Sequence, residues 1–345
     1  VFLRMKRKLL HSAALMFAAG SLSSAGWSQS APEEAKRWLE RMIQATQTLN
    51  YEGTFVYVQG PHVEAMRVVH GGGPEGERQR LFSLNGPLRE ILVANNSVTC
   101  LLPKQHETFG GDGYGGSRFP LSIPRELGRL ESHYEFATLG EDRIAGLETQ
   151  MIAIKPRDAW RFGYRLWLDR RNGMLLRSVL LDEQGYPVEQ LMFTDFQIKP
   201  RIDEKAFESP TLSPDANPPV ANQGSSEEQP SPAIEPVTQS AWRVNQLPDG
   251  FVKVLHNRFI KNPSRHVTEH MVFADGLATI SVFLEQLDGS PALLRGSSQL
   301  GSMNAFGKLL DGYQILVVGE VPAATVRHFA DTIQYVPDTS EAAKP

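Results

Sequence analysis

The sequence predicts an α+β protein: a large antiparallel sheet with few helices, followed by a smaller α+β unit. Three observations carry this. Most apolar residues fall in short β-branched and aromatic runs separated by tight-turn residues. Helical periodicity is confined to one stretch before these runs and one after them. A Pro- and Ser-rich segment, residues 209–240, splits the chain between them.

The elements follow in order. V-F-L-R-M-K-R-K carries Arg4, Lys6, Arg7 and Lys8, and a short apolar run and small residues follow. Residues 1–30 therefore read as a secretory leader, with cleavage after Ala25 or Ser30. Ser30-Ala31-Pro32-Glu33 has the form of a capping box, and Ala35, Trp38, Met42, Ala45 and Leu49 then recur at helical spacing. Y-E-G-T-F-V-Y-V-Q and A-M-R-V-V-H are strands joined through Gly60-Pro61. R-Q-R-L-F-S and R-E-I-L-V-A-N-N-S-V-T-C-L-L add more, with Asn95-Asn96 as a turn. From Tyr164 to Ile198 the pattern is a three-strand meander with turns at Asn172-Gly173 and Gln184-Gly185. Strands joined this tightly pair antiparallel.

The last meander strand, E-Q-L-M-F-T-D-F-Q-I, places Leu191 and Phe193 on one face under strict alternation. Met192, Phe196 and Ile198 then lie on the other. A sheet with one wet face alternates more cleanly, so both faces are covered. Ordinary packing and an apolar ligand cavity both account for this.

The first domain is thus expected over residues 31–208, the linker over 209–240, a small α+β domain over 241–336 and a disordered tail over 337–345. Too few large apolar residues lie in the linker to offset its ordering entropy. In the second domain L-P-D-G-F-V-K-V-L, T-E-H-M-V-F-A, L-A-T-I-S-V-F-L-E and Y-Q-I-L-V-V-G-E read as strands, with Asp275-Gly276 as a hairpin turn. V-P-A-A-T-V-R-H-F-A-D-T-I closes it as a helix, with Pro322 in the first turn.

The 35 basic and 39 acidic side chains give a net charge of −4, and loss of the four leader cations makes it −8. An acidic chain is a poor partner for nucleic acid, so no nucleic-acid role is expected. The single cysteine, Cys100, forms no intramolecular disulfide and is expected as a buried, inert thiol in a strand. These features indicate an exported protein whose domains depend on their cores, and the periplasm suits it.

Two motif matches need their structural context. H-V-T-E-H at 266–270 has the form H-x-x-E-H, which binds zinc from a helix. Here it runs into a strand pattern, where Cα atoms four residues apart are separated by roughly 13 Å. G-D-G-Y-G-G at 111–116 has the glycine spacing of a dinucleotide loop, yet Pro120 and Pro124 follow in place of a helix. With no nucleophile elbow, P-loop or H-E-x-x-H, the chain reads as a binding protein, with no catalytic residue, metal or cofactor assigned.

W-L-D-R-R-N-G-M-L-L-R-S-V-L-L-D-E-Q-G-Y-P-V-E-Q-L-M-F-T-D-F resembles a family of periplasmic sigma-E regulators, RseB and MucB. L-N-Y-E-G, S-L-N-G-P-L-R-E, L-P-D-G-F, F-A-D-G-L-A-T-I-S-V-F and V-G-E-V-P extend the likeness in order over some 300 residues, in details nearer the MucB form that controls alginate production. The resemblance implies an unclosed antiparallel β-barrel with a helical plug, like the carriers LolA and LolB, and a smaller C-terminal α+β domain. It implies a negative regulator of an envelope-stress sigma factor. Its partner would be the periplasmic part of a single-pass membrane anti-sigma factor, like MucA or RseA. Bound, it would shield that partner from regulated proteolysis; lipid or lipopolysaccharide would release it. A homodimer stays open as a further assembly. For the apolar cavity the assigned residues are Phe55, Tyr57, Trp167, Met192 and Phe196, with plain core packing as the competing account of each. The alternative function is a periplasmic lipid or lipoprotein carrier of the LolA type.

Overall fold

The computed structural model describes residues 30–72, 76–94, 97–102, 105–110, 123–124, 126–209, 233–261, 266–287 and 292–336. The leader, the glycine-rich loop, the Asn95-Asn96 turn, the tail, most of the linker and the Ser30 capping side chain lie outside the described residues.

Helix α1 spans Ser30–Thr48. Its buried stripe is Ala35, Leu39, Met42 and Ala45. Trp38 and Leu49, expected in that stripe, are only half-buried, and Leu39 takes the central place. Spacings of four and three residues keep these side chains one above another.

Eleven strands follow: β1 (Tyr51–Gln59), β2 (His62–Gly71), β3 (Arg78–Ser83), β4 (Glu90–Ala94), β5 (Ser97–Leu102), β6 (Gln105–Gly110), β7 (Tyr134–Ile144), β8 (Leu147–Pro156), β9 (Gly163–Asp169), β10 (Leu175–Leu181) and β11 (Pro187–Ile198). A one-turn helix, α2 (Gly128–Glu131), precedes β7. The strands form one sheet in the order β6-β5-β4-β3-β2-β1-β11-β10-β9-β8-β7. Its ends, β6 and β7, are not paired with each other, so the sheet is unclosed. The pairing of β1 with β11 joins the first and last strands in the middle of the sheet. The β7–β8 hairpin escapes the sequence pattern because one end of β7, G-E-D-R, is charged and exposed.

The second sheet is seven-stranded, in the order β12-β14-β15-β16-β19-β18-β17. Its strands are β12 (Ala233–Pro236), β14 (Val252–Lys261), β15 (His266–Ala274), β16 (Thr279–Gln286), β17 (Gly296–Leu300), β18 (Met303–Leu310) and β19 (Tyr313–Gly319). Strand β13 (Trp242–Val244) pairs with β20 (Ile333–Tyr335) after helix α3 (Ala323–Thr332). Val326, Phe329 and Ala330 of α3 pack on Phe251, Met271, Phe273, Ile280, Val282 and Val317. Residues 233–236 fall within the segment read as linker, yet they form β12 and pair with β14. An edge strand tolerates Pro236, whose missing N–H costs no ladder bond on its open side.

The two domains meet at a buried ionic seam. Arg161, in the β8–β9 loop, reaches Asp275 of the β15–β16 turn at 2.7 Å, and neither side chain has exposed surface. Tyr134 donates to the same Asp275 oxygen at 2.9 Å, and the Leu277 and Ala278 amides donate to the other. The rest of the guanidinium pairs with Asp158 and donates to the Asp249 carbonyl, between the rings of Tyr134 and Phe251. Gly276 fits this turn because its φ is +108° and a Cβ would sit 3.0 Å from Leu130. Leu277 packs into the first domain's core and Trp160 into the second's. The Thr325 hydroxyl also donates to the Trp160 carbonyl at 2.9 Å.

Two outcomes are expected from urea unfolding of residues 31–345. Leu39→Ala opens a cavity between α1 and the sheet and costs about 2–5 kcal/mol. Asp275→Ala leaves the buried guanidinium with Asp158 as its one carboxylate and costs about 3 kcal/mol. A loss below about 1 kcal/mol for Asp275→Ala means that the seam does not hold the domains together.

Candidate functional site

The register of the first sheet sorts the apolar residues by face, since directly paired antiparallel residues share one. Tyr51, Gly53, Phe55 and Tyr57 pair with Ile198, Phe196, Phe193 and Leu191. These eight residues belong to the face that α1 crosses: the row from Tyr57 and Leu191 runs through Ser178 and Leu166 to Ile152, and Leu39 and Met42 of α1 share a core cluster with Leu166 and Ile152. Val56, Met192, Arg177, Trp167 and Met151 form a row on the opposite face.

Strict alternation places Phe193 and Phe196 on opposite faces, but the structure puts them on one. A bulge at Thr194, where the register shifts between Thr54 and Phe55, inserts one residue and reverses the alternation. Phe193 and Phe196 then meet edge-to-face at 5.4 Å, and Ile198 joins their face while Met192 stays on the other. Gly53 lies opposite: a Cβ there would come within 2.6 Å of the Phe193 ring.

Of the five predicted cavity residues, the structure brings Phe55, Tyr57 and Phe196 to the α1 face and leaves Trp167 and Met192 on the other. All five belong to or pack against one hydrophobic cluster. Phe55 and Trp167 are fully packed core, whereas Tyr57, Met192 and Phe196 are half-buried. Trp167 donates its indole N–H to Asp142 at 2.8 Å and lies under the Arg177 guanidinium. The backbone N–H of Arg143, and then this indole N–H, hold the Asp142 carboxyl below its ordinary range. Sequence reasoning missed Tyr51, whose ring lies 5.5 Å from that of Phe196 and whose buried hydroxyl has no partner among the described residues.

The α1 face continues to a second contact with the C-terminal domain. Gln59 and Glu189 are paired neighbours on β1 and β11, and Tyr164 of β9 lies in the same row through Leu180. Across the seam stands Ser302, fully buried between β17 and β18. Its hydroxyl oxygen is 2.9 Å from Gln59 Nε2, 3.0 Å from Glu189 Oε2 and 2.7 Å from Glu320 Oε1. Burial first, and the Glu189 charge second, push the Glu320 carboxyl up to about 7.

The remaining sequence candidates fall elsewhere. H-V-T-E-H lies on strand β15, and Glu269 and His270 point to opposite faces. Glu269 accepts from Ser240, Arg258 and His256 on one side. Burial alone would raise its carboxyl, but these hydrogen bonds prevail and set it at about 2. His270 stacks on Phe283 at 4.3 Å and contacts Ser281 on the other side; burial and then His256 lower it to about 4. Adjacent strand residues cannot converge on one ion, and no metal-binding cluster exists among the described residues. In the meander, Arg170 pairs with Glu141 and Glu148, Arg171 with Asp169, and Arg177 bonds Gln190. Cys100 on β5 is half-exposed rather than buried.

The comparisons follow this two-domain architecture. Residues 34–211 match the MucB/RseB N-terminal domain and residues 236–334 the MucB/RseB C-terminal domain. The chain is 26% identical to the sigma-E factor regulatory protein RseB of Haemophilus influenzae, over 93% of this chain and 98% of that one. It is 28% identical to the sigma factor AlgU regulatory protein MucB of Pseudomonas aeruginosa, over 94% and 98%. Among solved structures, MucB in complex with the periplasmic part of MucA matches with a TM-score of 0.65 at 26% identity, over 88% of this chain and 99% of that one. The Pseudomonas aeruginosa MucA/MucB complex matches with a TM-score of 0.67 at 28% identity and the same coverage. The chain belongs to the MucB/RseB family.

Proposed function

We propose that this protein is a periplasmic negative regulator of an envelope-stress sigma factor. It binds the periplasmic part of a membrane anti-sigma factor and shields it from regulated proteolysis. The observation that carries this is the likeness, across both domains, to MucB solved with the periplasmic part of MucA. The names of the curated relatives, regulatory proteins of sigma-E and AlgU, agree with it. The role is one of binding rather than catalysis, and the periplasm is where such a partner's domain lies.

Release by lipid or lipopolysaccharide has a place in this scheme. A ligand moves an equilibrium only through different affinity for two states. The α1 face runs without a break from the half-buried aromatics Tyr57 and Phe196 to the seam residues Gln59 and Glu189. An acyl chain on this face would compete with contacts that fix domain placement. Tyr51 would offer its unpaired hydroxyl beside that chain. A carrier of the LolA type would use the same face, and the test separates the two.

Titration of the chain against the periplasmic segment of a MucA-like anti-sigma factor is expected to give tight 1:1 binding that weakens when lipopolysaccharide is added. No binding in either condition, together with transfer of lipid between vesicles, would replace this reading by the carrier. Phe196→Asp is expected to lower lipopolysaccharide affinity about tenfold, a loss of about 1.4 kcal/mol. Circular dichroism checks that this variant is folded. Phe55→Asp is not a usable probe, because Phe55 is packed core and a buried charge there unfolds the domain.

A further inference from the structure

The second seam contact poses a proton-accounting problem. A serine hydroxyl has one proton to donate and two lone pairs to accept with. The Gln59 amide donates into Ser302, which uses one lone pair. Glu189 and Glu320 both place a carboxyl oxygen on the same hydroxyl, from different domains. The hydroxyl can donate to only one of them. The other makes a hydrogen bond only if it carries a proton itself and donates it to the remaining lone pair. One proton held between the two carboxyls satisfies every contact, whereas two carboxylates leave one oxygen facing another without a proton between them.

The surroundings favour that proton. Around the pair stand Tyr57 on β1 and Tyr164 on β9, both pushed up by burial first and by these carboxylates after it. Glu64, opposite Tyr57 on β2, is acidic and already paired with Arg89. Asp275 acts on Tyr164 from the ionic seam and is held by Arg161. The groups that act on Glu320 are a second carboxyl and a hydroxyl, and no cation is among them.

We propose that Glu189, Ser302 and Glu320 form a proton-operated latch between the two domains. The latch is closed while one proton is held between the carboxyls and weakened when that proton leaves. It stands independently of what the protein binds.

The sign follows from linkage. Apart from the seam, Glu320 titrates near its ordinary 4.5, and in the closed seam it is raised to about 7. Closure therefore takes up a proton between these values. Its full stability is present below about 4.5, falls as pH rises, and the latch's share is gone above about 7. Within that window the ratio of closed to open arrangements falls by up to about tenfold per pH unit, as one proton requires. Acidification tightens the pair of domains.

The test measures interdomain distance in residues 31–345 by pulsed electron paramagnetic resonance. Spin labels are placed at Glu40→Cys on α1 and Ser298→Cys on β17, in a Cys100→Ser background. A single short distance is expected at pH 5, with a longer one growing in towards pH 8. Glu320→Gln, permanently neutral, is expected to keep the short distance at both. Glu189→Gln, from the other domain, is expected to do the same and serves alone if Glu320→Gln does not fold. The proposal is overturned if the distances do not change between pH 5 and 8, or if a folded Gln variant follows the unsubstituted curve.

Discussion

A guanidinium with no exposed surface has to be satisfied in full, and Arg161 is satisfied only when the two domains are together. Asp158 of its own loop supplies one carboxylate, while Asp275 and the Asp249 carbonyl come from the other domain. Moving the domains apart would strip Arg161 of two partners and leave Asp275 short of its Arg161 and Tyr134 bonds. A small displacement that keeps water out would be costliest, because a buried group that loses a partner finds no replacement in low-dielectric surroundings. The seam therefore has few stable arrangements, and the Gly276 turn and Leu277 are seated by it.

The same constraint gives the apolar face its direction. Helix α1 covers one part of it, the C-terminal domain closes another, and the row from Gln59 through Glu189 and Leu180 to Tyr164 lies along the junction. The bulge at Thr194 adds Phe196 and Ile198 to this face. An aromatic surface that ends at a domain boundary can couple what it binds to how the domains sit. On the opposite face, Trp167 and Arg177 are tied to Asp142 and Gln190.

The two seam contacts differ in kind. Arg161 and Asp275 attract one another across 2.7 Å. Glu189 and Glu320 repel unless a proton lies between them, so their contribution depends on the medium. A fixed anchor beside a variable one is an arrangement that holds two domains in register and still lets their closure respond to conditions.

The sequence by itself determined most of the strands, though not such strands as β7, β8, β12, β17 or β18, together with the two long helices and the turns at Asn172-Gly173, Gln184-Gly185 and Asp275-Gly276. Those signals are local: a period of two or 3.6, and residues that permit a turn. It also showed that H-V-T-E-H lies on a strand, because its neighbours are strand formers. Only the tertiary structure decided which charged residues are buried and with whom. Arg161 and Asp275 are 114 residues apart, and Gln59 and Ser302 are 243 apart. Nothing in a lone Arg, Ser or Glu names its partner, since burial is a property of packing. The bulge at Thr194 was hidden for the same reason: no glycine marks it within β11, and one inserted residue changes the face of every side chain beyond it. Phe55, Tyr57, Trp167, Met192 and Phe196 are expected from the sequence around one apolar cavity, but strand register and the bulge divide them between two faces.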